Sequence, residues 1–152
     1  MRHYSKSRRG TTAVESAVVG PLTFLLLLGL VIGGMGVFRY QEMASLAREG
    51  SRWASVHGTG YQKDTGKPAA TQQDVINYMA SKGVSLDQSQ FNTSNCPVIW
   101  TTDNRPYHTN IVNGQVVAVT NTVKVTITYR WIPEAYLGGI TLTSTSESAM
   151  SN

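Results

Sequence analysis

From Ala17 to Phe38 the chain reads AVVGPLTFLLLLGLVIGGMGVF, without one charged side chain. A helix crosses the hydrocarbon core of a bilayer with about 20 predominantly apolar residues, and this run has that length. A helix buried in a soluble core is rarely apolar on every face over such a distance. A cleaved secretory signal has a shorter apolar core, about 7–15 residues, closed by a small-x-small box. Met35-Gly36-Val37-Phe38-Arg39-Tyr40 offers no such box. The sequence therefore predicts a retained transmembrane helix over residues 14–38.

The flanks orient it. Arg2, Lys6, Arg8 and Arg9 all precede Gly10, whereas Arg39 stands alone at the other exit. Basic residues stay on the cytoplasmic side, so Arg8 and Arg9 set the topology. Residues 1–10 are expected as a basic cytoplasmic leader and residues 39–152 as an extracytoplasmic α+β domain. The protein is thus expected in the cytoplasmic (inner) membrane, single-pass, with its C-terminal domain periplasmic or extracellular. The formal net charge of +4 resides in that leader, because after Gly10 nine basic residues are balanced by all nine acidic ones. A nucleic-acid-binding face would instead spread Lys and Arg over a folded surface, so no nucleic-acid partner is expected.

Searching for chemistry finds none. Cys96 is the only cysteine, and His3, His57 and His108 lack ligating neighbours at metal spacing. Gly60 to Lys67 fails the phosphate-loop pattern because Pro68 stands where Ser or Thr is needed. Neither a nucleophile elbow nor a zinc-protease motif occurs. The chain is expected to be no enzyme and to hold no metal or cofactor. Trp53, Trp100 and Trp131 read as core or interface residues rather than a sugar-binding platform.

Within the span, Pro21 is tolerable because membrane neighbours can re-satisfy the carbonyl it frees. Gly29 and Gly33 form a GxxxG pair, extended by Gly34 and Gly36, that lets another helix approach closely. Glu15 lies at the entrance of the apolar run. It is either a carboxylate awaiting a partner in the membrane or a headgroup-level residue favouring the helix start through the dipole.

The opening Arg8-Arg9-Gly10, then Thr12-Ala13-Val14-Glu15, then Pro21 and a leucine run, resembles the TadE-like family. These are minor pseudopilins of the tight-adherence (Tad, or Flp) pilus machinery. Leu46-Ala47-Arg48-Glu49-Gly50-Ser51-Arg52-Trp53-Ala54 is similar to that family's post-membrane helix, and Val123 to Met150 to its closing strands. One departure is Ser16, where processed pilin-like substrates carry an aromatic residue. The resemblance implies a pilin-like fold and a non-catalytic pseudopilin that primes or caps a pilus. It implies prepilin peptidase cleavage between Gly10 and Thr11, an assembly and register role for Glu15, and helix packing through Gly29 and Gly33. The implied partners are other pilins and pseudopilins, Tad inner-membrane assembly proteins and the peptidase. The alternative is a signal-anchored envelope protein whose outer domain binds a ligand or wall polymer.

Beyond the span, Met43, Leu46, Ala47, Gly50, Trp53 and Ala54 recur at helical spacing on one face, with Ser51 and Arg52 elsewhere. His57 to Ala70 reads as a loop. Thr71-Gln72-Gln73-Asp74 resembles a capping box whose Asp is short for the task, opening a helix with Val75, Ile76, Met79 and Ala80 inward, stopped by Lys82-Gly83. The remainder reads β. Val98 to Thr102 is a short strand, Asn113-Gly114 a hairpin turn, and Val123 to Trp131 a half-buried strand of period two. Pro133 ends that strand, Gly138-Gly139 turns the chain, and Ile140 to Ser148 returns as an edge strand. The expected architecture is a transmembrane helix continuing into an amphipathic helix on a small antiparallel sheet.

Overall fold

The computed structural model describes residues 9–133 and 138–151. Five strands and three α-helices run in the order α1 (Arg9–Val56), α2 (Thr59–Thr65), α3 (Gln72–Lys82), β1 (Val98–Trp100), β2 (Tyr107–Val112), β3 (Gln115–Thr120), β4 (Thr122–Trp131) and β5 (Ile140–Ala149). The chain divides into two compact units, Met1–Val37 and Phe38–Asn152, and α1 contributes to both.

In the first unit the apolar side chains of α1 are unpacked, from Val14 at 67% exposure to Leu30 at 75%. Pro21 lies inside the helix without ending it. Among the described residues α1 alone is long and apolar enough to cross a membrane; its best 18-residue window has mean hydropathy 2.3.

The second unit is a mixed α+β body, consistent with a pilin-like fold. Its main sheet has the antiparallel order β1-β4-β5. β4 alternates as its sequence requires, with Val123, Val125, Ile127, Tyr129 and Trp131 buried, while Lys124 and Arg130 are exposed on the opposite face. Each such aliphatic side chain, fully buried, is worth about 1.5–3 kcal/mol.

The C-terminal part of α1 covers the inner face. Met43, Leu46, Ala47, Gly50, Ser51 and Ala54 are all buried there. Three of these residues have a side chain of one carbon or none besides Ser51, and the helix approaches closely as a result. A Cβ built on Gly50 would stand 2.6 Å from Met79 Sδ of α3 and 3.7 Å from Val125 Cγ1 of β4. Ser51 corrects the sequence reading, which set it off the buried face: it is 0% exposed. Its hydroxyl reaches Ser146 Oγ on β5 at 3.0 Å and donates to the Arg48 carbonyl at 3.0 Å, so its burial leaves no polar atom stranded.

Three further differences are local. Residues 59–65 form α2 rather than a loop, closed by Gly66 at φ 71°, a left-handed position suited to glycine. The Thr71–Asp74 capping box does close. Thr71 N–H donates to Asp74 Oδ2 at 2.9 Å and Asp74 N–H donates to Thr71 Oγ1 at 3.3 Å, with the Thr71 hydroxyl also donating to Oδ2 at 2.6 Å. That third bond draws the short carboxylate into place. β1 stops at Trp100, although Thr101 still reaches Thr122 of β4 through its N–H at 2.9 Å and its hydroxyl at 2.6 Å.

Asn113 (φ 53°) and Gly114 (φ 79°) make the tight turn of the β2–β3 hairpin, both with positive φ as a type I′ turn demands. Only Asn121 separates β3 from β4, and there the chain passes from one sheet to the other. Asn121 is fully buried and fully used. Its Nδ2 donates to Asp103 Oδ1 at 3.0 Å and to the Arg105 carbonyl at 3.1 Å, and its Oδ1 lies 2.6 Å from His108 Nδ1. Its N–H donates to the Pro106 carbonyl and its own carbonyl accepts from Met150 N–H.

Candidate functional site

The residues singled out near the N-terminus lie on α1. Arg8 falls outside the described residues, and Arg9, Gly10 and Thr11 enter only as backbone at the beginning of the helix. Glu15 is exposed and lines a shallow hollow with Thr12, Ser16, Val19 and Gly20, which share a face at spacings of three and four. Gly29 and Gly33 have open space around them, with nothing within 4 Å of a built Cβ. Glu15 and Gly33 are separated by about five helical turns, and Gly29 lies within about 40° of the same line. One stripe therefore carries the carboxylate at one end and the glycine pair at the other.

Where α1 belongs to the second unit, the stretch Ala47 to Arg52 acquires a physical meaning. Ala47, Gly50 and Ser51 face the core, while Arg48 and Arg52 are exposed. Glu49 accepts a 2.8 Å hydrogen bond from the Tyr78 hydroxyl of α3, and that bond, ahead of burial, raises the phenol pKa. Before this stretch, Arg39 donates to the Ser85 carbonyl and Glu42 accepts from the Ser85 hydroxyl. Both side chains thereby hold the turn after α3.

A cleft of about 400 Å³ opens beside this helix, lined by Trp53, His57, Tyr61, Lys67, Asp74 and Asn77 among others. Trp53 was expected on the buried face but is half-buried. It stacks on His57 (centroids 4.1 Å apart, planes 17°) and on Tyr78 (5.1 Å, 16°). Tyr61 leans against His57 at 50°. The His57 Nδ1 lies 2.8 Å from the Trp53 carbonyl. A carbonyl can only accept, so Nδ1 carries a proton and donates to it. The sequence reading did not join these rings, although Trp53, His57 and Tyr61 recur every fourth residue.

The family model described as TadE-like protein matches residues 10–52. This segment is TadE-like. The match covers the apolar part of α1 and ends at Arg52, on the stretch whose small residues bring α1 against α3 and β4. No curated protein matches the chain, and no solved structure does.

Proposed function

We propose that this protein is a non-catalytic minor pseudopilin of a Tad/Flp pilus, anchored by α1 in the cytoplasmic membrane with residues 39–152 outside. The observation that carries the reading is the coincidence of the TadE-like match with an apolar helix whose side chains are unpacked through Phe38. Such a surface is compatible with lipid first and with neighbouring helices later. Gly29 and Gly33 supply the flat patch for close helix approach. Residues 1–10 serve as the leader, Arg8 and Arg9 hold it in the cytoplasm, and prepilin peptidase cuts between Gly10 and Thr11.

Cleavage frees an amine at Thr11, one helical turn from Glu15. An unpaired carboxylate in hydrocarbon costs about 2.5–3.5 kcal/mol on insertion scales. A subunit docked out of register would leave Glu15 unpaired, whereas correct register sets it against its own or a neighbour's amine. The partners under this reading are other pilins and pseudopilins and the Tad inner-membrane assembly proteins. Glu15→Ala should insert and be cleaved but should no longer crosslink to those partners in native membranes. Wild-type crosslinking by Glu15→Ala would reduce Glu15 to a helix-start residue. Failure of the wild-type protein to co-purify with any pilus component would remove the reading itself.

A further inference from the structure

We infer that the cleft between α1, α2 and α3 is a saccharide-binding site, a function that pilus assembly does not require. Trp53 already stacks on both His57 and Tyr78 at small interplanar angles. Tyr61 is tilted by 50° from its neighbour. The Trp53 ring is therefore already engaged by two neighbours and is poorly placed to take a flat heteroaromatic ring as well. The aromatic wall instead offers the Tyr61 ring and the borders of a rigid stack, surfaces suited to the aliphatic C–H face of a pyranose ring.

The polar groups point the same way. Asp74 spends Oδ2 on Thr71, and Asn77 spends Oδ1 on Gln73 Nε2. Asp74 Oδ1 and Asn77 Nδ2 retain capacity for a ligand. The bond from the Thr71 hydroxyl, then that from its N–H, lowers the Asp74 pKa, so the carboxylate accepts at neutral pH. His57, Asp74, Asn77 and Lys67 all line the cleft and between them bring both hydrogen-bond acceptors and donors to it. One ammonium and one carboxylate leave it formally neutral. An anion would lack an excess of cations, and a proline-rich peptide presents mainly carbonyl acceptors to a groove. Hydroxyl groups donate and accept alike, and a neutral sugar satisfies both sets. The volume of about 400 Å³ lies within the range of small-molecule sites.

The experiment uses the full chain in lipid nanodiscs, free of sugar-headed detergent, titrated with soluble tetramers of glucose, mannose, galactose and N-acetylglucosamine. Saturable shifts of the Trp53 indole N–H and Tyr61 ring resonances are expected with at least one tetramer below about 10 mM. Tyr61→Ala should weaken that binding about tenfold, equivalent to about 1.4 kcal/mol, without lowering the thermal midpoint. Asn77 is exposed, and Asn77→Ala provides the same test should Tyr61→Ala unfold. The inference is overturned if no tetramer saturates by about 10 mM, or if binding survives both substitutions undiminished. Saturation by a proline-rich peptide but by no tetramer overturns it equally.

Discussion

Replacing Gly50 by alanine opposes two effects of known sign. Inside a helix, alanine is favoured over glycine by about 0.8–1.0 kcal/mol. At this position the added methyl would stand 2.6 Å from Met79 Sδ and 2.9 Å from Met79 Cγ. Met79 is flexible by chemistry, but it is 0% exposed and has no free volume to enter. Overpacking a filled core costs about 1–3 kcal/mol. The balance is a destabilisation of about 0–2 kcal/mol. On a body of this size each kcal/mol moves the thermal midpoint by a few degrees, about 2–8 °C. The assay is thermal unfolding of the full chain in micelles, carried through a double-mutant cycle with Met79→Ala. In that background the clash is gone, and Gly50→Ala should be stabilising by nearly the full helix-propensity term. If Gly50→Ala stabilises the wild-type protein by about 1 kcal/mol and shows no coupling to Met79, α1 does not approach α3 as described.

Other outcomes follow from separate features. Gly33→Ile, at a site with nothing within 4 Å, should leave the unfolding midpoint unchanged while reducing helix–helix crosslinking in membranes; a lowered midpoint would contradict the open surface around it. Thr71→Val should return the Asp74 pKa toward the ordinary aspartate range in an NMR titration. Since the folded value is depressed, the stability this carboxylate contributes is present above its unfolded pKa and lost as pH falls through the folded one. Burial pushes the Cys96 thiol up to about 11. Near pH 8 only about a thousandth is thiolate, so native protein should alkylate slowly and unfolded protein quickly. For this group stability is unaffected below the unfolded pKa and declines as pH rises toward about 11.

The parts legible in the sequence are those decided by local pattern. The period-two alternation of β4 places five side chains inward whatever the partners are, and Asn113-Gly114 specifies its own turn. The apolar run around Pro21 announces its length and lack of charge. What escaped depends on residues distant in sequence. Ser51 is satisfied in the core by the Arg48 carbonyl of its own helix and by Ser146, which β5 brings opposite it. Residues 59–65 carry three flanking or internal glycines that read as loop, yet Gly66 serves as the left-handed stop of a helix. In the TadE-like segment the pattern Ala47-Arg48-Glu49-Gly50 was recognisable, but its reason was not. That reason lies in Met79 and Val125, which crowd Gly50, and in Tyr78, which donates to Glu49. The cleft was half legible: His57 and Tyr61 follow Trp53 at spacings of four, whereas Tyr78, Asp74 and Asn77 come from another helix.

Asn121 has a consequence for how the outer body breathes. The β2–β3 ribbon exposes Ile111, Val116 and Val117 at its far end, and among the described residues its side-chain hydrogen bond to the rest is that between His108 and Asn121 at its base. A lone two-stranded ribbon is marginally stable in water. Amide protons along residues 107–120 should therefore exchange by local fraying, far faster than those of β4, although a single residue separates the two. A nick at Asn113-Gly114 would leave the main sheet standing. The corner thus acts as a mechanical fuse, a place where motion at the tip is absorbed before it reaches the helix-bearing core.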